Sequence, residues 1–410
     1  MSPTTPSPQM PDTGSFWIRA RQVCAAVGIA AGAAAGIGWA RDPGEFGFSY
    51  LLAFMFFLSL GLGALFLVML HHLVDAGWSV PIRRVLEHLA MLAPALALLF
   101  VPIAIVAPQV YPWLAMADHP DAALESKRWF LNPAFFYARA LAYFAIWSVL
   151  AWRLRAWSLR QDRSGAAECT RRMRRWSAAG MFLFAITVTL AAIDWMQSLQ
   201  HHWSSTIYGV LFFAGSVWAT LAWIFLAAAI LRLIGPLREV VHARQFHDIG
   251  VLLLAFTLFY AYIHFSQYFL IWTAHIPEET FWYAQRGAGG WRGIGLWIVF
   301  GHFLAPFLLL LRIDAKQSMA LMLPLCGWAL LMHYLELAYH IMPVLRPDGF
   351  RITGLDMACL LAIDGALGAI FALFMSRHPA YPIRDPRLQE ALAGAGTPPV
   401  SAPETAAEDA

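Results

Sequence analysis

The chain has 410 residues, 60% hydrophobic and 13% charged, with a mean hydropathy of +0.59. A soluble domain carries roughly 25% charged residues, so the composition is that of an integral membrane protein. At about 20 apolar residues per span the length is filled by about ten helices, which excludes a large soluble catalytic domain. The net charge of +3 comes from 28 Lys and Arg against 25 Asp and Glu. Nearly all the cations are Arg at helix ends, a pattern that sets orientation in the bilayer and gives no sign of a nucleic-acid partner.

The first 15 residues are rich in Pro, Ser and Thr and lack the basic stretch of a signal peptide. Residues 1–20 are read as a disordered cytoplasmic tail, and the Ala/Gly run after Val23 as a retained first helix. Apolar windows predict helices near 22–40, 50–72, 85–107, 134–153, 177–198, 206–233, 248–274, 292–311, 318–340 and 356–375. The Pro/Ala/Glu-rich segment 378–410 is expected to be disordered.

With alternating helix direction, 20 of the Lys and Arg fall on the side of the N-terminus and seven on the other, Arg139 being inside a helix. The positive-inside rule then makes both termini of this multi-pass membrane protein cytoplasmic. The outward connections 108–133 and 275–291 mix Trp and Tyr with acidic residues and fall four helices apart. Within a membrane domain over 21–377, that spacing suggests an all-α architecture of two four-helix bundles, about 50–198 and 206–340. Helices 22–40 and 356–375 flank them.

The cysteines Cys24, Cys169, Cys326 and Cys359 are scattered singly, with no C-x-x-C, C-x-x-C-H or ferredoxin-like spacing. No redox metal is therefore expected to be bound directly. A b-type haem between two histidines of one helix is also disfavoured, since His333 and His340 are only seven residues apart.

An ionisable group at bilayer depth costs about 2.5 to 3.5 kcal/mol and needs a partner or water. Helix direction places Arg139 and Asp194 at matching depth on the fourth and fifth helices, which predicts an ion pair. The pair is either a structural lock or a functional element. The run from Asp194 to Thr206 forms an outer hairpin dense in polar and aromatic groups. On the ninth helix His333, Glu336 and His340 are spaced i, i+3, i+7 and share one face in the outer half of the membrane, flanked by Tyr334 and Tyr339. The seventh helix adds Tyr260, Tyr262, His264, Ser266, Gln267 and Tyr268, the eighth His302 and the tenth Asp364. These groups are candidates for a proton relay, with a satisfied polar seam between helices as the alternative.

A second cluster, His71, His72, Asp75, Arg83, Arg84, Glu87 and His88, falls at the cytoplasmic ends of the second and third helices. Lipid headgroup binding or helix capping is the simpler expectation there, and the mouth of a proton path the other. Pro94 and Pro102 are expected to kink the third helix, and Gly61 and Gly63 to loosen the second.

The run from Ala192 to Leu199, followed by His202 to Gly209, resembles the second quinone-binding membrane subunit of bacterial alternative complex III, the ActF type. The block Phe265 to Trp272, then Ile276-Pro277-Glu278-Glu279, Trp282-Tyr283 and Gly289-Gly290-Trp291, agrees with it, as do Leu70-His71-His72 and Arg83 to Leu86. The resemblance covers about 50–377. It implies a relative of the polysulfide-reductase (NrfD/PsrC) membrane-anchor superfamily, built of two four-helix bundles plus two outer helices. It further implies a complex with a related membrane subunit, a periplasmic iron–sulfur subunit and c-type cytochrome subunits carrying haem c and the iron–sulfur clusters. Such a complex oxidises membrane quinol, menaquinone- or ubiquinone-derived, and passes electrons to cytochrome c or another acceptor. What it leaves to this subunit is scaffolding, a second quinone pocket or proton conduction. The competing reading is a stand-alone secondary transporter with a substrate cavity at the midplane.

Overall fold

The structure, a computed structural model, describes residues 14–116 and 120–393. Residues 1–13 and 394–410, the outer parts of the two expected disordered tails, lie outside the described residues. Helix α1 (Gly14–Arg41) is followed after one residue by α2 (Pro43–Val74). Asp42 caps α2, its carboxylate accepting from the Glu45 amide at 2.9 Å, and Pro43 occupies the first turn, where a missing N–H costs nothing. The third span is broken into α3 (Val80–Ala90), α4 (Ala93–Leu99) and α5 (Val101–Val110). Its two parts meet at a 55° bend. Pro102 cannot donate to the Leu98 carbonyl, and the bend falls beside it; Pro94 follows the interruption at 91–92 between α3 and α4.

Short helices α6 (Pro112–Ala115) and α7 (Ala122–Lys127) fill the first long connection. Helix α8 (Pro133–Ser164) is capped by Asn132 and ends at Gly165, whose φ of 65° is the left-handed conformation glycine adopts without strain. Helix α9 (Ala167–Trp195) leads through a 3₁₀ turn at Gln197–Gln200 to α10 (Tyr208–Ile234) and α11 (Ala243–Ala274). Then come α12 (Pro277–Arg286), α13 (Gly289–Trp297), a π-helical stretch at Ile298–Leu304, α14 (Ala305–Leu311), α15 (Ile313–Gln317) and α16 (Met319–Ile341). The chain closes with α17 (Gly354–Arg377) and α18 (Leu388–Ala393).

Among the described residues nine helical runs are long and apolar enough to cross a membrane, and the bent α3–α5 run makes up to ten. No strand is present among them. The protein is an all-α integral membrane protein. Helix α2 is the axis, buried along most of its length, and packs on α3, α5 and α9 on one side and on α10 and α16 on the other. Helices α10, α11, α14 and α16 form the second group. Helices α1 and α17 lie along each other at the side of α2, so close that a Cβ on Gly365 would stand 2.4 Å from the Gly28 backbone.

Three expectations change. Residues 14–20 belong to α1 and not to a disordered tail. The cationic connection 153–175 is mostly helix: α8 and α9 have 32 and 29 residues, and at 1.5 Å per residue the longer exceeds an apolar layer of about 30 Å. Residues 378–393 are ordered and dock on the arginine-rich end. There Asp385 meets Arg83, and the Ile383 amide donates to Asp162 at 3.0 Å.

Candidate functional site

Four helices and the π-helical stretch converge on Glu336, in the half of the bundle away from the arginine-rich end. The spacing on α16 puts His333, Glu336 and His340 on its inner face, and all three are at most 3% exposed. Glu336 Oε1 stands 2.8 Å from His264 Nε2 of α11, while Oε2 is 3.3 Å from His333 Nδ1 and 3.6 Å from His302 Nδ1. The far nitrogen of His333 is 2.9 Å from the Ser59 hydroxyl of α2. His340 Nδ1 is 3.0 Å from the Tyr208 hydroxyl of α10.

His302 reaches this point because of the π-helical stretch. Pro306 cannot donate to the His302 carbonyl, and the Ala305 amide instead bonds Phe300 five residues back. The wider turn sets the imidazole between two rings, 3.9 Å from Trp218 and 3.9 Å from Tyr260. Trp218 is held in turn by its indole N–H donating to Thr257 at 2.8 Å. Space for the group comes from Gly215, where a Cβ would stand 3.1 Å from the His333 ring and 3.4 Å from Glu336.

Nε2 of His302 and Nε2 of His340 are buried without a hydrogen-bond partner among the described residues, and His302 Nδ1 has only the long 3.6 Å approach to Glu336. A buried polar atom left unpaired costs about 1 to 3 kcal/mol, so the group has unused capacity to hold and pass protons. An ionised Glu336 only accepts, and each imidazole nitrogen facing it must then carry hydrogen; a protonated Glu336 can donate instead. His264 is the least buried member, its side chain 24% exposed.

Arg286 was not singled out in the sequence and closes this site from α12. Its guanidinium is buried, lies 3.6 Å over the Trp282 ring, and donates to the Tyr339 and His340 carbonyls at 2.8 and 2.9 Å. It satisfies the last carbonyls of α16. Its only sequence signal was a lone cation in an aromatic connection. Ser59 and Gly215 carried none.

Gln267 does not join the Glu336 group. It accepts from Ser205 at 2.9 Å and donates to Tyr283 at 3.1 Å, tying α11 to the outer hairpin and α12. Tyr262 and Tyr268 face outward. Asp364 is likewise absent from the group: it lies on the exposed side of α17 and has no ion-pair partner among the described residues. The buried carboxylate of α17 is Asp356, just over two turns earlier and about 80° round the helix from it. Asp356 receives Arg346 at 2.8 Å and Ser49 at 2.6 Å, joining the starts of α2 and α17.

Arg139 and Asp194 form the expected pair. Two guanidinium nitrogens reach the two carboxylate oxygens at 2.8 and 2.6 Å, and Tyr143 donates to the same carboxylate at 2.7 Å. Arg139 also donates to the Phe130 carbonyl and lies over that ring.

At the arginine-rich end the expectation of headgroup contact changes, because the cluster is covered by the segment 378–393. Arg83, Arg84, Glu87 and His88 are at most 2% exposed. Glu87 bridges Arg83 at 3.1 Å and Arg84 at 3.3 Å; Arg84 also meets Asp162 and Arg83 meets Asp385, each at 2.5 Å. His71 stands 3.0 Å from Arg83 and 2.6 Å from Ser79. His72 packs edge-on against His71, and Asp75 pairs with Arg174 and Arg387. His88 lies among Phe371, Phe374 and His378.

In comparisons with known proteins no family model matches the chain, and neither does any curated protein.

Proposed function

We propose that the chain is a membrane-integral subunit of a quinol-oxidising electron-transfer complex of the alternative complex III type, and that its own task there is to conduct protons. The observation that carries the reading is one carboxylate, Glu336, ringed by His264, His302 and His333 inside the membrane domain, with His340 alongside and Nε2 of His302 and of His340 unpaired among the described residues. Quinol oxidation releases two protons for every two electrons passed on. A chain of imidazoles and a carboxylate, each with a reference pKa within reach of neutrality, is the chemistry that can receive and release them.

On this reading both termini face the cytoplasm of a bacterial inner membrane. The partners are a related membrane subunit, a periplasmic iron–sulfur subunit and c-type cytochromes, with haem and iron–sulfur clusters held by those partners. The resemblance of residues 192–209 and 265–291 to the ActF type supports the assignment. So does the depth of Glu336, five residues from the outer end of α16, on the side where quinol protons are released. The bent α3–α5 span is the one feature that favours a secondary transporter. Its breaks at 91–92 and 100 carry only apolar side chains, which offer a substrate or ion nothing to bind.

Purification from the native membrane in mild detergent tests the assignment. Haem and iron should co-migrate with the chain in a fixed ratio, while the chain expressed alone should show no Soret band. A homogeneous metal-free species from the native membrane would contradict it.

A further inference from the structure

The outer connections bring together three side chains that lie 80 residues apart in sequence. Asp121 precedes α7 and points one oxygen, Oδ1, at the Leu124 amide (2.7 Å), which caps that helix. Its other oxygen, Oδ2, faces two imidazoles: His201 Nε2 at 2.9 Å and His202 Nε2 at 3.4 Å. The adjacent histidines lie ring against ring, their centroids 4.1 Å apart, so both present Nε2 to one point. All three donor atoms lie within 4.8 Å of one another.

We propose that Asp121, His201 and His202 form a binding site for a divalent transition-metal ion of the zinc class at the water-facing edge of the membrane domain. Four ligands at about 2.0 to 2.1 Å around a tetrahedral ion stand roughly 3.3 Å from each other. The two imidazole-to-carboxylate edges, 2.9 and 3.4 Å, bracket that spacing before any ion is bound. The donors are held from behind: Asp121 by the α7 amide, and His201 by Lys127, whose ammonium donates to the His201 carbonyl at 2.6 Å. The Lys127 charge opposes a dication, and the Asp121 carboxylate answers it. Oδ1 of Asp121 is engaged by the Leu124 amide, so Oδ2 is the carboxylate oxygen left to face an ion.

The fourth position is open to water, since the His202 side chain is 57% and the Asp121 side chain 31% exposed. Two imidazoles and one carboxylate select a borderline ion such as Zn²⁺ over Ca²⁺ or Mg²⁺, which require oxygen ligands. A second trio, His264, Glu336 and His340, also has donors within 4.8 Å of one another, but it is buried, and there a bare dication would carry its full desolvation cost. The outer site stands whether or not the chain belongs to an electron-transfer complex.

The test is titration of the whole chain, purified in mild detergent and stripped with a chelator, with Zn²⁺ against a chromophoric indicator. One tight equivalent is expected. His202→Ala, at an exposed position that leaves the fold untouched, should weaken it at least about tenfold, as loss of a ligand must if loss of a ligand's support already costs 10- to 100-fold. Asp121→Asn should do the same, Glu336→Gln should leave the titration unchanged, and millimolar Ca²⁺ should not compete. Absence of a tight equivalent, an unchanged titration in His202→Ala, loss of binding in Glu336→Gln, or displacement by Ca²⁺ would each overturn the proposal.

Discussion

Asp194 and Glu336 are both buried carboxylates near the same end of the membrane domain, and they keep opposite company. Asp194 meets a bidentate guanidinium and a tyrosine hydroxyl. Glu336 meets imidazoles and no guanidinium. A guanidinium never gives up its proton under these conditions, so the first site is a permanent ion pair that fixes α8 to α9. An imidazole can be charged or neutral, and the second site has more than one way to distribute its protons. The arginine-rich end repeats the first solution on a larger scale, with Glu87, Asp162 and Asp385 set against Arg83 and Arg84. Buried carboxylates are therefore locked by guanidinium in these two regions and again at Arg346 and Asp356, and meet only imidazoles around Glu336.

The largest expected effect breaks the locked side of that contrast. Asp194→Asn leaves the Arg139 charge buried without its partner, at a cost of about 3 to 5 kcal/mol, and assembled protein in the membrane should fall sharply. The double change Arg139→Gln with Asp194→Asn should recover part of it. Equal loss in the single and the double variant, read by thermal melting in detergent, would show that the two side chains do not act as a pair.

A smaller effect is expected at the arginine-rich end. Asp385→Asn removes one of two carboxylates from Arg83 and leaves Glu87 in place, which should cost about 1 to 3 kcal/mol and loosen the segment 378–393. Limited proteolysis reads this as cleavage after residue 377 in the variant under conditions where the wild type resists. Indifference of the cleavage pattern would mean that the segment is held by Leu388 and its apolar neighbours rather than by charge.

The smallest effect concerns acid. The Asp121 carboxyl is held below its ordinary value by His201 and by the Leu124 amide. Its contribution is therefore present above the ordinary aspartate value, about 3.9, and fades as pH falls through the depressed one. Hydrogen-exchange protection at the Leu124 amide should drop in that acid window and not above it. Asp121→Asn should show no such step.

The expected chemistry of each region was legible in the sequence to the extent that it lay on one helix or at matching depth. The i, i+3, i+7 spacing on α16 and the depths of Arg139 and Asp194 needed only helix geometry and direction. What the sequence did not reveal depended on rotation about helix axes. Asp364 lies ten residues into α17, deeper than Glu336 at five residues from the end of α16, and it faces outward, whereas Asp356, two residues in, is buried. Ser59 and Gly215 are ordinary residues of apolar helices, and only packing makes them neighbours of His333. The π-helical stretch that delivers His302 follows from Pro306, but a proline alone does not say whether a helix kinks or widens. Residues 378–393 read as a polar tail because their partners, Arg83, Asp162 and Val80, lie more than 200 residues away.

The central claim is that Glu336 is an exchangeable site and not a structural one, and Glu336→Gln in the fully assembled complex tests it most directly. Glutamine keeps the size of the side chain and most of its hydrogen bonds but cannot titrate. The account predicts normal assembly and melting together with loss of quinol-driven turnover or proton release. Wild-type turnover and proton stoichiometry in that assembled variant would contradict it and leave Glu336 as part of a polar seam between helices.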